Sequence, residues 1–102
     1  MKSILILMSA CAFTWSAQAQ DRNALLQNSL AATCANCHGS FGRSCDGASI
    51  GNLAGMPAKQ IVEQMKAFQS GARPATVMHQ LSKGYSDAQI EQLASYFAAQ
   101  NK

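Results

Sequence analysis

Apolar residues recur with a helical period near the C-terminal end of the chain. The positions that share one face are Ile90, Leu93, Ala94 and Phe97. Ser86 and Gln89 precede this stripe at the spacing of a capping box, in which each side chain accepts a hydrogen bond from the other residue's backbone N–H. The pattern predicts a helix that begins after Ser86 and buries one face.

Two earlier segments show the same period. Pro57 suits the first turn of a helix that runs to about Ser70, and Gly71 suits its end. The apolar face of this helix is formed by Ile61, Val62, Met65 and Phe68. A first helix is predicted over residues 22–33, with Asp21 as its cap. The leucines on or near one of its faces are Leu25, Leu26 and Leu30.

The remaining sequence favours loops. Residues 39–55 are rich in glycine, serine and asparagine, which is typical of a loop. No segment alternates between apolar and polar residues over a useful length, so no sheet of any size is expected. The predicted fold class is all-α, with three main helices joined by loops.

Residues 1–19 have the pattern of a secretory signal peptide. Lys2 supplies the positive charge, residues 4–15 are mostly apolar, and Ala17 and Ala19 satisfy the rule of small residues before the cleavage site. This apolar run is shorter than the ~20 residues that span a bilayer, so no stable membrane anchor is expected. The pattern predicts export to the periplasm.

Cleavage at that point leaves residues 20–102 as one small domain. A lipoprotein signal that ends at Cys11 is the weaker alternative. A domain of this size is marginal with only its own core, which favours a bound group that adds apolar surface. The formal net charge of +3 is too small to indicate nucleic-acid binding.

Cys34, Cys37 and His38 form a Cys-x-x-Cys-His run, which occurs once in the chain. This pattern is typical of covalent haem attachment. Each cysteine can form a thioether with one haem vinyl group, and the adjacent imidazole is placed to bind the iron. The run therefore predicts one covalently bound haem c. A redox-active dithiol, and a zinc site completed by Cys45 and His79, are the weaker alternatives.

The other face of the iron needs a second ligand, and three methionines of residues 20–102 are candidates. Met65 lies on a predicted apolar stripe, and Met56 begins a helix soon after His38. Met78 follows a loop stiffened by proline and has enough chain before it to reach the far side of the ring. The sequence favours Met78, with His79 as its competitor. Ligation by His38 and Met78 raises the potential and closes the iron to oxygen, which suits electron transfer.

Cys45 is the cysteine that haem attachment leaves over in residues 20–102. An unpaired thiol is unusual in an oxidising compartment. An incidental loop thiol is the favoured interpretation, and a disulfide to a partner subunit is the alternative.

On these motifs the chain resembles small class I c-type cytochromes. Within them it is most similar to the cytochrome subunit of flavocytochrome c sulfide dehydrogenase and to single domains of cytochrome c4. The segments that carry the resemblance are Cys34–Gly39, Asn52–Gly55, Gln64–Phe68, Ser70–Met78, Lys83–Asp87 and Leu93–Phe97. They span almost all of residues 20–102. The segment that ends at Met78, with the Gly-Tyr-Ser-Asp run after it, is much more specific than the first motif.

The resemblance implies the class I cytochrome c fold, wrapped around one haem. It implies that His38 and Met78 are the axial ligands of the iron, and that the first and last helices cross at Tyr96 or Phe97. It also implies a periplasmic electron carrier, paired with a flavoprotein that oxidises sulfide.

The chain departs from these cytochromes at one point. Relatives usually carry a proline in the loop after the haem motif, where a backbone carbonyl accepts a hydrogen bond from the proximal histidine. Ala48 or Gly51 stands at that point here. Every residue has a carbonyl, so the hydrogen bond is expected to survive, in a loop of lower stiffness.

The expected function is electron transfer and not enzymatic catalysis. A flavoprotein sulfide dehydrogenase subunit is the favoured electron donor, and a freestanding carrier to a terminal oxidase or reductase is the alternative. A haem enzyme or gas sensor with an open sixth position is the weakest hypothesis. Cations that either steer an acidic redox partner or simply face solvent are Lys59, Lys66, Arg73 and Lys83.

Overall fold

The computed structural model describes residues 21–102, and this part of the chain is helical. Its α-helices are α1 over residues 21–32, α2 Ala35–His38, α3 Ala58–Ser70, α4 Met78–Leu81 and α5 Asp87–Ala98. Two 3₁₀ turns, Ser40–Gly42 and Ser82–Gly84, follow α2 and α4. No strand occurs within residues 21–102, and the all-α fold class is confirmed. The predicted signal peptide of residues 1–19, with Cys11, lies outside the described residues.

Helix α5 begins where its capping box predicts. The Gln89 N–H donates to Ser86 Oγ at 3.2 Å, and the Ser86 N–H donates to Gln89 Oε1 at 2.9 Å. The whole predicted stripe is buried, at Ile90, Leu93, Ala94 and Phe97. The sequence pattern therefore predicted both the start of this helix and the face that it buries.

Helix α3 packs against α5 to form most of the core. Its Ile61 and Met65 are buried, so Met65 serves as core packing. Pro57 precedes the first helical residue instead of opening the first turn. The helix ends at Ser70, because Gly71 adopts the left-handed conformation with φ 79° and its N–H returns to the Phe68 carbonyl.

Helix α1 reaches the same core through a small side chain. Ala31 is buried, and the Gln27 amide donates to the Gln92 carbonyl of α5 at 2.9 Å. Leu30 is half-buried against the core, whereas Leu25 and Leu26 are exposed. Helices α1, α3 and α5 together form the core cluster, which consists of the buried residues Ala31, Ile61, Met65, Ile90, Leu93, Ala94 and Phe97.

The connection between α3 and α5 is more ordered than the predicted loop. Met78 begins the short helix α4, which continues directly into the turn Ser82–Gly84. Residues 75–82 contain neither glycine nor proline, so the backbone can close helical turns there. Among the helices of residues 21–102, none is long and apolar enough to cross a membrane.

Candidate functional site

The Cys34–His38 run occupies a single helical turn. The His38 N–H donates to the Cys34 carbonyl at 2.9 Å, and the Cys37 N–H donates to the same carbonyl at 3.3 Å. This turn follows α1 after a break at residues 33–34. The structure therefore brings both thiols and the adjacent imidazole together through local backbone hydrogen bonds.

Gly39 reverses the chain immediately after this turn. Its φ is 81°, and its N–H closes α2 by donating to the Ala35 carbonyl. A Cβ at this position would lie 1.9 Å from the carbonyl oxygen of Arg43. Glycine is required here both for the backbone conformation and for the close approach of the next loop.

The imidazole of His38 is fixed by the loop that follows. Its Nδ1 lies 2.7 Å from the carbonyl oxygen of Gly51. A carbonyl oxygen only accepts, so Nδ1 carries the proton in this hydrogen bond and Nε2 keeps its lone pair. Of the two positions expected to supply the carbonyl, Gly51 makes the contact. The hydrogen bond therefore persists without the proline.

The two cysteines of the run differ in environment. Cys34 is half-buried and packs against the core cluster, whereas Cys37 is exposed. Burial raises the pKa of the Cys34 thiol, the Thr33 hydroxyl beside it opposes that rise, and the neighbouring Cys37 adds to it. The Cys34 thiol is therefore less acidic than that of a free cysteine, and it is held against apolar side chains.

The methionine candidates occupy three different surroundings. Met65 is in the core cluster, and Met56 and Met78 are both half-buried against it. Met56 follows a segment that is attached to the 3₁₀ turn after the Cys34–His38 run, since the Leu53 and Ala54 N–H groups both donate to the Gly42 carbonyl. Met78 instead comes from α4, a separate element that packs on α3.

Hydrogen bonds from α3 hold the segment after Met78. The side-chain amide of Gln69 donates to the Ser82 carbonyl at 2.8 Å and to the Tyr85 carbonyl at 3.0 Å. Gln69 could not be identified from the sequence, because nothing in its local pattern shows which backbone carbonyls its side chain meets. Its spacing of four residues from Met65 on α3 is the one sequence signal that places Gln69 near the buried face of this helix.

His79 and Ser82 each carry a buried polar atom without a partner. The Nδ1 of His79 and the Oγ of Ser82 have no hydrogen bond to any residue of the described chain. Ser82 is fully buried. His79 is half-buried, and its Nδ1 is removed from solvent.

Cys45 lies apart from the other cysteines, in the irregular loop after the first 3₁₀ turn. It is exposed and forms no disulfide with another cysteine of residues 21–102. No group of three or more His, Cys, Asp and Glu side chains in this region is close enough to hold a metal ion. The zinc site completed by Cys45 and His79 is therefore not assembled, and the disulfide to a partner subunit stays a prediction.

Three of the four candidate steering cations have neighbours on the surface. Lys66 pairs with Asp87, and Lys59 lies 3.7 Å from Glu63. The guanidinium of Arg73 lies over the Phe68 ring at 4.8 Å. Lys83 is exposed in the turn after α4. The two carboxylates partly offset the positive charge that Lys59 and Lys66 of α3 present to a partner.

The donor set fits a covalently bound haem. Two thiols one turn apart match two vinyl groups, and the hydrogen bond at Nδ1 leaves Nε2 of His38 as the atom available to the iron. A half-buried methionine on a separate element, packed against the same core cluster as Cys34, can supply the second ligand.

Comparison with known proteins gives relatives over nearly the whole chain. No protein-family model matches it. It is 37% identical over 98 residues to cytochrome c-553 of Helicobacter pylori, and the match covers 94% of this chain and 95% of that protein. It is 32% identical to cytochrome c-553 of Nitratidesulfovibrio vulgaris, covering 96% of this chain and 98% of that protein.

Other relatives are named for sulfur-compound oxidation. The thiosulfate dehydrogenase electron acceptor of Thiomonas intermedia is 34% identical over 98 residues, covering 96% of this chain. The cytochrome subunit of sulfide dehydrogenase of Chlorobaculum tepidum is 34% identical over 73 residues, covering 72% of this chain. The chain spans 44% of the length of the first of these proteins and 64% of the second.

Proposed function

The chain belongs to the c-type cytochromes, and on that premise we propose that it is a periplasmic electron carrier whose haem iron is held by His38 and Met78. As a c-type cytochrome it carries one covalently bound haem c and transfers electrons instead of catalysing a reaction. Its partners are redox proteins.

Four side chains hold the haem in this proposal. Cys34 and Cys37 would form the thioethers, and the iron would be held by Nε2 of His38 and the sulfur of Met78. When bound, the haem supplies one-electron ferric–ferrous chemistry. The Met78 sulfur favours the ferrous state and excludes oxygen and water from the iron.

The observation that carries the proposal is the hydrogen bond from His38 Nδ1 to the Gly51 carbonyl, at 2.7 Å. Such a partner fixes the tautomer and the rotation of an imidazole ligand, and it raises the basicity of the other nitrogen. A histidine that served only as a surface residue would not need this orientation. Its place directly after Cys37 puts the oriented ring beside both attachment points.

Connectivity supports Met78 over Met56. The segment before Met56 is pinned to the Gly42 carbonyl, only four residues beyond His38. A ligand for the opposite side of the iron is more readily supplied by α4, which belongs to a separate part of the chain. Met78 is the first residue of that helix.

Absorption spectroscopy of the ferric protein tests the ligand assignment. The weak far-red charge-transfer band that marks methionine sulfur on ferric haem is expected in the wild-type protein. Met78→Ala should abolish it, and the matched control Met56→Ala should retain it. Retention in Met78→Ala contradicts the assignment, and a wild-type spectrum that is high-spin and shifts with carbon monoxide supports a haem enzyme or gas sensor.

A flavoprotein sulfide dehydrogenase is the donor that we propose. Support comes from the relative of Chlorobaculum tepidum that is named as a sulfide dehydrogenase subunit. The Thiomonas intermedia relative, named as the electron acceptor of thiosulfate dehydrogenase, also places a similar chain in the oxidation of a sulfur compound. Stopped-flow reduction by the flavoprotein with sulfide should be faster than reduction by thiosulfate dehydrogenase with thiosulfate, and the reverse order would assign the other donor.

A freestanding carrier is the second candidate. The match to cytochrome c-553 of Helicobacter pylori covers 95% of that protein, so a chain of this length is similar to a cytochrome that is not named as a subunit. Co-purification separates the two functions. A stable complex with the flavoprotein at physiological ionic strength supports the subunit, and a haem protein that elutes alone supports the carrier.

Export and maturation are tested on the protein recovered from a periplasmic fraction. Mass spectrometry should find a chain that begins at Gln20 and carries one haem on Cys34 and Cys37. A lipid on Cys11, or a retained N-terminus, contradicts cleavage after Ala19.

A further inference from the structure

A hydrogen bond joins the end of α1 to the segment between α4 and α5. The Oγ1 of Thr33 lies 2.9 Å from the phenolic oxygen of Tyr85 and 2.8 Å from the Leu30 carbonyl. A threonine hydroxyl has one hydrogen, and a carbonyl cannot donate, so Thr33 donates to Leu30. Tyr85 therefore donates to Thr33, the residue directly before Cys34.

Gln69 holds the same segment from the other side. Its amide nitrogen has two hydrogens, and they meet the Ser82 carbonyl at 2.8 Å and the Tyr85 carbonyl at 3.0 Å. Both acceptors lie at the ends of the 3₁₀ turn Ser82–Gly84. One side chain of α3 thus fixes both ends of this turn.

The turn is connected directly to Met78. The Ser82 N–H donates to the Met78 carbonyl as well as to the Gln80 carbonyl, at the end of α4. Ser82 itself is fully buried, so its backbone has little freedom to move. A continuous series of hydrogen bonds therefore runs from Thr33, through Tyr85 and Gln69, to the backbone of Met78.

We propose that Tyr85 and Gln69 are positioning residues that hold the Met78 segment in register with Cys34. This inference rests on the proposed ligation of the iron by Met78. The thioether at Cys34 fixes the ring to the end of α1, and the Tyr85 hydroxyl fixes the Met78 segment to that same end. The second ligand is then held at a set distance from the attachment point without a covalent bond.

An external ligand measures how firmly the methionine is held. Imidazole binds ferric iron only when it displaces the methionine sulfur, so its affinity rises when that side chain is less well positioned. Tyr85→Phe removes one hydroxyl and keeps the ring, and it should tighten imidazole binding by about threefold to tenfold, the effect of one lost hydrogen bond. Gln69→Leu should tighten it at least as much.

Matched variants separate positioning from general stability. Tyr96→Phe removes the other tyrosine hydroxyl of the chain, and Gln27→Leu removes another amide that joins two helices; both should leave imidazole affinity unchanged. Thr33→Val should tighten imidazole binding as Tyr85→Phe does, and the double variant should add little further, because both delete the hydrogen bond between Thr33 and Tyr85. Thr33→Val also removes the local hydrogen bond to the Leu30 carbonyl, which does not reach the Met78 segment. Thr33→Ser keeps the hydroxyl and should behave as wild type.

The measurements distinguish a wrong positioning role for Tyr85 from a wrong ligand assignment for Met78. If Tyr85→Phe lowers the denaturation midpoint but leaves imidazole affinity unchanged, the residue is structural and the inference is wrong. If Met78→Ala leaves both the far-red band and imidazole affinity unchanged, the proposed ligand is wrong. Should Gln69→Leu not fold, Gln69→Glu and the Thr33 variants give the same comparison.

Discussion

The carbonyl oxygen of Gly51 lies 2.7 Å from Nδ1 of His38, across a loop with little regular structure. The acceptor belongs to the backbone, so no side chain at position 51 is needed to make the hydrogen bond. A loop without its usual proline can therefore still orient the imidazole. Glycine leaves the loop more flexible than proline would, and the effect on the free energy of unfolding can be measured.

Gly51→Ala should stabilise the protein. The φ of Gly51 lies outside the left-handed region, and a Cβ there would meet no heavy atom within 4 Å. Alanine reduces the conformational entropy of the unfolded chain, which is expected to raise the free energy of unfolding by about 0.4–1 kcal/mol. The measurement is guanidinium denaturation of the haem-loaded protein. The reduction potential should not change, since the carbonyl remains; a shifted potential would show that the loop had moved the acceptor.

Gly39→Ala should have the opposite effect. The new Cβ would lie 1.9 Å from the Arg43 carbonyl oxygen, and the backbone has a φ of 81°. Overpacking and a strained conformation together are expected to cost about 3 kcal/mol or more. The same denaturation experiment measures the loss, and yields of haem-loaded protein should fall because Gly39 directly follows His38.

Gly47→Ala is the matched control for that substitution. Gly47 has nearly the same φ, 79°, but nothing lies within 4 Å of its Cβ position. Only the left-handed conformation is penalised there, at about 1 kcal/mol. Equal losses at the two glycines would mean that the contact with Arg43 contributes nothing.

Local patterns predicted much of the fold. The capping box at Ser86 and Gln89, the stripe of α5 and the end of α3 at Gly71 depend on residues within a few positions of each other. The Cys34–His38 turn is local in the same sense. These features could be found because a helical period and a cap leave their signals in adjacent residues.

Contacts between distant residues could not be predicted in this way. Thr33 and Tyr85 are separated by 52 positions, and neither lies on a recognisable motif with the other. Helix α4 has four residues, too few to show a helical period. The choice between Ala48 and Gly51 depended on the path of an irregular loop, which composition does not specify.

Ser86→Ala should destabilise the protein by about 1 kcal/mol, the usual value of a helix N-cap. Both hydrogen bonds of the capping box involve Ser86. The substitution removes the one that the Ser86 hydroxyl accepts and keeps the one that its backbone N–H donates. Thermal or denaturant unfolding checks the value.

The neighbouring Asp87→Asn serves as its comparison. Asp87 pairs with Lys66, but its side chain is 82% exposed, so the ion pair is screened by solvent. Its loss should cost less than the loss of the cap, and the cost of losing the ion pair should shrink further in high salt. A larger effect for Asp87→Asn would mean that the ion pair, and not the cap, fixes the start of α5.

His79→Leu should leave the far-red band intact and should not destabilise the protein. The Nδ1 of His79 is buried without a hydrogen-bond partner among residues 21–102, which leaves its desolvation uncompensated. An apolar side chain of similar size removes that cost, so the free energy of unfolding is expected to stay the same or to rise by up to about 1 kcal/mol. Absorption spectra and denaturation of the same sample measure both effects. His79 is the competitor of Met78 for the iron, and ligation by His79 would give a low-spin wild-type spectrum without the far-red band that becomes high-spin in His79→Leu. A band that is present in the wild type, kept in His79→Leu and lost in Met78→Ala leaves His79 as a buried side chain beside the ligand.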